Sequence, residues 1–105
     1  MNLYDKIYDA VKQIPYGKVA TYAQIGTMCG NSHYARAVGN ALHNNPNPQE
    51  IPCYRVVNRN GALSNNFAFG GINAQSELLK AEGVEAVDGV VDLEKYQWLG
   101  NNTFE

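Results

Sequence analysis

The chain has 105 residues, of which 45% are hydrophobic and 17% charged, and its formal net charge is −2. This length suits one compact core, and the composition excludes a disordered segment. No apolar run is long enough to span a membrane, and the polar N-terminal stretch excludes a signal peptide. We therefore expect one domain over residues 1–105 that is monomeric and intracellular: cytoplasmic, or nuclear in a eukaryote. The two cysteines, Cys29 and Cys53, are too few for a secreted disulfide framework and should stay free.

The charges divide the chain into two parts. Residues 1–60 carry six Lys or Arg and three Asp or Glu, a net charge of +3, whereas residues 61–105 carry two and seven, a net charge of −5. Phosphate contacts would come from the first part, because the acidic second part repels DNA. So few basic residues predict modest non-specific affinity for DNA, and the asymmetry alone also fits ordinary surface composition.

Two helices are predicted in the first thirty residues. Asn2 can cap the first helix. Apolar residues at helical spacing define its buried stripe: Leu3, Ile7, Val11 and Ile14. Pro15 and Gly17 end this helix. Thr21 and Gln24 form a capping box for the second helix, which has Ile25 and Met28 facing inward and ends at Gly30.

Ser32 is predicted to cap a third helix, from about His33 to Asn44. Its apolar side contains Ala35, Val38 and Leu42. Its other side has one cation, a glycine and short polar groups, so another backbone could approach it closely: Arg36, Gly39, Asn40 and His43. The second and third helices together fit a helix-turn-helix, although any small helical bundle contains such pairs.

The rest of the chain predicts a small β-hairpin and one more helix. Residues 54–57 read as a strand, 58–61 as a turn and 62–63 as the returning strand, followed by a loop or wing over 64–71. A last helix carries Ile72, Leu78 and Leu79 and closes at Gly83, and short β-like pieces follow near Val90. The predicted fold is mainly α, a winged helix-turn-helix-like DNA-binding domain with a small β-hairpin wing.

Cys53 is the residue with the clearest chemical potential. It follows Pro52, which restricts the local backbone, and Arg55 lies two residues away, where a cation would favour the thiolate. The alternative is a buried structural cysteine, which is the commoner situation and the one we expect for Cys29. His33, His43 and two distant cysteines do not have zinc-ligand spacing, and no phosphate-binding glycine loop is present. We therefore expect no metal and no cofactor.

Four segments resemble the O6-alkylguanine-DNA alkyltransferases. The segment Ile51-Pro52-Cys53-Tyr54-Arg55-Val56-Val57 is similar to the acceptor motif of that family, usually Pro-Cys-His-Arg-Val. Residues 14–22, 35–39 with Asn45-Pro46, and 78–83 are similar to its approach to the first DNA-binding helix, its recognition helix and hinge, and its late helix. The match covers most of residues 3–85 in order and at compatible spacing.

This resemblance implies a protein that flips O6-alkylguanine out of duplex DNA through the minor groove. It also implies irreversible transfer of the alkyl group to Cys53 without a cofactor, in a single turnover. Arg36 corresponds to the intercalating arginine, Tyr22 to the tyrosine that assists flipping and Asn45 to the hinge asparagine. Val56 corresponds to the residue whose carbonyl reads the base edge, and Gly39 lies on the same recognition helix.

Two departures from the family pattern keep an alternative open. Tyr54 replaces the histidine that relays the thiol proton with support from a glutamate, here Glu82, and neutral phenol is a poor base near pH 7. The segment from Gly61 to Gly71 is about two residues longer than usual, which resembles the alkyltransferase-like proteins. Those bind the lesion without transfer and pass it to nucleotide excision repair, but typically have tryptophan at the position of Cys53. We predict transfer, with such lesion binding as the alternative and a sequence-reading winged helix as a third possibility.

Overall fold

The computed structural model describes residues 2–64 and 67–100. That part of the chain is mainly helical, as predicted. Its elements in chain order are α1 (Leu3–Lys12), β1 (Ala20–Thr21), α2 (Tyr22–Met28), α3 (Ala35–His43), β2 (Val56–Val57), α4 (Gly71–Lys80), β3 (Ala86–Val87), β4 (Val90–Val91) and α5 (Leu93–Tyr96). Two 3₁₀ turns, Ser32–Tyr34 and Cys53–Arg55, precede α3 and β2. None of these helices is long and apolar enough to cross a membrane.

The first two helices begin where their capping residues predict. The Asn2 side chain accepts a hydrogen bond from the backbone N–H of Asp5 at 2.9 Å. Thr21 and Gln24 form the predicted reciprocal capping box at the start of α2. Met28 does not face inward as predicted, because α2 is buried along Ile25 and Gly26 instead.

Gly26 is the point at which α2 and the segment before α3 approach each other. A Cβ at this glycine would lie 2.9 Å from the carbonyl oxygen of Asn31, so a larger residue would force the segments apart. Asn31, rather than Ser32, makes the cap: its side chain accepts from the N–H of His33 at 2.8 Å. The third helix therefore starts with a 3₁₀ turn, and Ala41 joins Val38 and Leu42 on its buried side while Ala35 is half-buried.

The prediction of a β-hairpin at residues 54–63 is wrong. Only Val56–Val57 is a strand there, and it pairs in parallel with Ala20–Thr21. Its turn, 58–61, is present, but Ala62 bridges to Val90 rather than returning along β2. The fold does contain a small antiparallel hairpin, formed later by β3 and β4. Its two-residue turn, Asp88-Gly89, has positive φ at both positions (54° and 76°), the geometry that matches the twist of paired strands.

The β1–β2 pair separates two groups of buried side chains. Because successive residues of a strand face opposite sides, Ala20 and Val56 enter one core while Val19 and Val57 enter the other. The first core lies under α1, α2 and α3 and the second under α4 and the C-terminal segment. Trp98 packs against the first core, and its backbone N–H donates to the carbonyl of Val19 at 2.7 Å.

Helix α4 differs from its predicted pattern at two positions. Leu79 is fully buried, as predicted, but Leu78 is 42% exposed. Gln75 takes a buried place instead, with 1% of its surface exposed. The loop before α4 includes the predicted wing, of which residues 65–66 lie outside the described part of the chain.

Candidate functional site

A pocket of about 300 Å³ opens where α2, α3, the Cys53–Arg55 turn and the segment before α4 meet. This volume is at the lower end of the range for small-molecule sites, about 300–1,000 Å³. Its lining mixes polar and apolar side chains: Tyr22, Gly39, Asn40, Leu42, His43, Cys53, Ser64, Phe67, Ala68 and Gln75. The structure therefore brings Cys53, Tyr22 and Gly39, three of the residues singled out from the sequence, to one cavity.

Cys53 is buried, with 4% of its surface exposed, and lies in a 3₁₀ turn rather than in a strand. Burial raises the pKa of its thiol, and hydrogen bonds from the Asn45 side chain and from the main-chain N–H groups of Cys53 and Tyr54 only partly oppose that rise. The thiol is thus mainly protonated at neutral pH. The expectation that Arg55 favours the thiolate is wrong, because its guanidinium bonds to other groups.

Asn45 connects the end of the α3 segment to the Cys53 turn. Its side chain is buried, its Nδ2 donates to the carbonyl of Ile51 at 2.9 Å, and its Oδ1 accepts from the N–H of Asn47 at 2.9 Å. The same carboxamide hydrogen-bonds to the Cys53 thiol. Asn45 therefore fixes the loop that leads from α3 to the Cys53 turn.

Tyr22 lines the pocket from its position at the start of α2. Burial raises the pKa of its hydroxyl, a hydrogen bond with Ser64 lowers it, and the neighbouring Cys53 raises it further. Tyr22 also packs against the first core, so its ring is held between the core and the cavity. The phenol and the thiol consequently face the same small volume.

The solvent-facing side of α3 leads from this pocket to the surface. Gly39, Asn40 and His43 line the cavity, and the exposed Arg36 lies about one helical turn before Gly39. A Cβ at Gly39 would meet nothing within 4 Å. The fold itself does not require glycine here, although glycine inside a helix costs about 1 kcal/mol relative to alanine.

Tyr54 and Glu82 belong to a cluster on the other side of the Cys53 turn. Glu82 accepts from Arg55 Nη2 at 2.7 Å, from the Tyr54 hydroxyl at 2.5 Å and from the N–H of Gly17 at 2.9 Å. Burial opposes ionisation of Glu82, but these hydrogen bonds outweigh it and its pKa lies below the ordinary value. Arg55 also donates to the carbonyl of Ile14 at 2.8 Å, so the cluster ties the α1–β1 loop to the turn and to α4.

Val56 and Gln75 show a connection that the sequence did not reveal. The carbonyl of Val56 accepts a hydrogen bond from Gln75 Nε2 at 3.0 Å, and Val56 is fully buried. Gln75 also lines the pocket. The available signal was the helical spacing of Ile72, Gln75 and Leu79, which places a glutamine on the apolar side of α4.

Within residues 2–64 and 67–100, no group of three or more His, Cys, Asp or Glu side chains is placed to hold a metal ion. The pocket lining supplies a buried thiol, a phenol, amide groups and an apolar wall that includes Leu42 and Phe67. Such a cavity can hold a flat, partly polar ring next to a nucleophile.

The sequence of residues 2–84 matches the family described as 6-O-methylguanine DNA methyltransferase, DNA binding domain. The chain belongs to this family. It is 40% identical over 94 residues to a DNA base-flipping protein of Vibrio parahaemolyticus, covering 89% of this chain and 92% of that protein. It is 38% identical over 78 residues to the methylated-DNA–protein-cysteine methyltransferase of Cricetulus griseus, covering 74% of this chain and 37% of the relative.

A crystal structure of Schizosaccharomyces pombe Atl1 in complex with damaged DNA containing O6-carboxymethylguanine has the same fold. The TM-score is 0.77 at 38% sequence identity, over 91% of this chain and 94% of the other. The family thus includes both methyltransferases and alkyltransferase-like proteins, and the present chain resembles members of each kind.

Proposed function

We propose that this protein binds O6-alkylguanine in duplex DNA and holds the altered base, flipped out of the helix, in the pocket between Tyr22 and Cys53. The observation that carries this proposal is the position of the pocket directly beside the accessible side of α3. A base that leaves the duplex at α3 enters the cavity without crossing the protein core. Flipping is required because the O6 substituent of a stacked guanine is out of reach of a protein pocket.

Helices α2 and α3 act in this proposal as a helix-turn-helix, with α3 lying against the minor groove. Gly39 lets the DNA backbone come close, since a side chain there would project into open space. Arg36, exposed on the same side, fills the gap that the flipped base leaves in the stack. Tyr22 contacts the base, while Asn45 holds the loop before Cys53 and the Val56 carbonyl holds Gln75, a residue of the pocket wall.

The relatives support lesion binding more directly than they support chemistry. The Vibrio parahaemolyticus relative is named a base-flipping protein, and the Schizosaccharomyces pombe structure holds damaged DNA. A protein that only binds the lesion must leave its removal to others. Nucleotide excision repair proteins are the partners that the resemblance to alkyltransferase-like proteins favours.

The test is a comparison of affinities for two duplexes that differ only by an O6-methyl group on one guanine. We expect the parent protein to prefer the lesion and Arg36→Ala to lose most of that affinity. Lys80→Ala, which also removes one exposed positive charge but lies at the end of α4, should retain it. Equal affinity of the parent for both duplexes would contradict the proposal.

A second candidate function, alkyl transfer to Cys53, is favoured by the presence of its thiol in the pocket lining. The thiolate sulfur would attack the alkyl carbon as the bond from that carbon to O6 breaks. The unmodified guanine that is released would take up one proton on its purine ring. Because burial raises the pKa of Cys53, the thiolate that this reaction needs is a minor form at neutral pH. Intact-protein mass spectrometry after mixing with an O6-methylguanine oligonucleotide tests it: a gain of one methyl group, lost in Cys53→Ser, supports transfer, and no gain despite lesion-selective binding excludes it.

A further inference from the structure

Gln75 is a polar side chain in an otherwise apolar position. It lies on the inner side of α4, with 1% of its surface exposed, and contributes to the wall of the pocket. A buried carboxamide is destabilising unless its donors and acceptor are paired. The bonds that it makes therefore indicate which parts of the molecule it holds together.

The Gln75 carboxamide bonds to main-chain groups of two separate segments. Its Nε2 donates to the carbonyl of Tyr54 at 3.2 Å and to that of Val56 at 3.0 Å. Its Oε1 accepts from the N–H of Ser64 at 3.0 Å. Both N–H groups of the amide are thereby used, so Gln75 presents little hydrogen-bonding capacity to a ligand in the pocket.

Each of these two segments contributes a residue to the pocket lining, Cys53 in one and Ser64 in the other. Tyr54 immediately follows Cys53 in the 3₁₀ turn, and Ser64 hydrogen-bonds to the Tyr22 side chain. Gln75 consequently links the turn that holds the thiol to the segment that orients the phenol. The cluster around Glu82 makes no such link, because it joins the Cys53 turn to the α1–β1 loop and to the end of α4.

We propose that Gln75 is a positioning residue for lesion recognition: it sets the separation of Tyr22 and Cys53 by bonding to the backbone of both the Cys53 turn and the Ser64 segment. This inference rests on the proposed lesion-binding function. Loss of the carboxamide removes the bonds that join the Ser64 segment to the Cys53 turn, so the two segments can move apart. The pocket then no longer has one fixed width, while the exposed side of α3 is unchanged. Selectivity for the lesion then falls while affinity for ordinary duplex DNA is kept.

The experiment compares the parent with Gln75→Met, which keeps an unbranched side chain of similar length but removes both donors and the amide acceptor. Affinities are measured for the O6-methylguanine duplex and for the matched unmodified duplex, at a temperature at which circular dichroism shows each protein folded. Ile7→Val is the control, since it removes one methyl group from a buried residue of the first core that does not itself line the pocket. We expect the ratio of the two affinities to fall roughly tenfold or more in Gln75→Met. Affinity for the unmodified duplex should stay within about twofold.

Gln75→Glu is a second variant. The pH dependence of its lesion selectivity is a readout that a change in packing alone would not alter. The carboxylate retains an acceptor for Ser64 but cannot donate to the two carbonyls, whereas the protonated acid can donate to one. Lesion selectivity of Gln75→Glu should therefore rise as the pH falls from about 8 to about 6, more than that of the parent. This variant also serves if Gln75→Met does not fold.

A parent-like affinity ratio in folded Gln75→Met, or a pH response of Gln75→Glu identical to that of the parent, would overturn the positioning role. Equal affinity of the parent for the two duplexes is a different result. It would refute the proposed function itself, and the positioning role with it.

Discussion

The Tyr54 hydroxyl donates a hydrogen bond to Glu82 Oε2 at 2.5 Å. The residue that follows Cys53 in the sequence is thus tied to a carboxylate that Arg55 and Gly17 also bind. The phenolic proton of Tyr54 is thus directed at Glu82, and burial raises the pKa of the neighbouring Cys53 thiol.

The thiol of Cys53 should react slowly with iodoacetamide at neutral pH, with a rate that rises through a pKa above the ordinary value of 9.0. Asn45→Ala removes a hydrogen bond that lowers this pKa, so it should shift the rate profile to still higher pH. Asn44→Ala is a matched control, because the Asn44 side chain bonds to the carbonyl of Asn40 within the same helix end. Mass spectrometry of the Cys53 peptide measures the rate, and a midpoint below 9.0 in the parent would contradict the assignment.

Replacement of Tyr54 separates its structural role from a role in proton transfer. Tyr54→Phe should leave the rate of methyl transfer to Cys53, if any is observed, unchanged within about twofold, since the lost hydroxyl bonds to Glu82. Tyr54→His replaces the phenol with an imidazole, a better base near neutral pH, and should raise that rate roughly tenfold or more if a group at this position takes up the thiol proton. Single-turnover mass spectrometry distinguishes them, and a large loss of transfer in Tyr54→Phe would assign the phenol to the reaction.

Glu82 should make the folded state sensitive to acid. Its pKa is lower in the folded protein than the ordinary 4.5, so it contributes stability above that value, and this contribution is lost as the pH falls through the folded-state pKa. Glu82→Gln should lower the free energy of unfolding at neutral pH by about 2 kcal/mol, because it leaves the partly buried Arg55 without its ion pair. The difference from the parent should shrink below pH 4.5, and urea titrations at several pH values measure it. A constant difference across this range would show that the ion pair does not account for the effect.

Two glycine substitutions should have opposite effects on stability. Gly39→Ala should raise the free energy of unfolding by up to about 1 kcal/mol, since the new methyl group enters open space in a helix. Gly26→Ala should lower it, because its Cβ would lie 2.9 Å from a backbone oxygen. If α3 faces DNA, the more stable Gly39→Ala should nevertheless bind duplex DNA about tenfold more weakly, which corresponds to about 1.4 kcal/mol. Unfolding curves and binding isotherms measure both effects, and unchanged DNA affinity in Gly39→Ala would place the contact surface elsewhere.

Local signals in the sequence predicted the helices but not the strand pairing. Asn2 and the capping box at Thr21 and Gln24 act on neighbouring residues, so their effect can be predicted without knowledge of the fold. The parallel pairing of β1 with β2 joins distant two-residue strands, and tertiary packing decides it. A local hairpin was therefore predicted at residues 54–63 where the chain instead pairs with a distant segment.

The candidate site was predictable to the extent that its residues lie in recognisable motifs. The sequence singled out Cys53 and Tyr22 and did not predict the burial that raises the pKa of the thiol. It also placed Arg55 beside the thiol, whereas the guanidinium bonds to Glu82. The side chain of Gln75 was missed because its role depends on three backbone groups from distant parts of the chain.

The most direct test of base flipping into this pocket is disulfide trapping with a duplex that carries an O6-(2-mercaptoethyl)guanine in disulfide linkage to a small aromatic thiol, which leaves when a protein thiolate attacks. Cys29 is the more accessible of the two free thiols, so random exchange would favour it over the buried Cys53. The account predicts a mixed disulfide at Cys53, identified by peptide mapping under non-reducing conditions and strongly reduced in Arg36→Ala. Trapping at Cys29 alone, or none at Cys53 under conditions in which the duplex is bound, would contradict it.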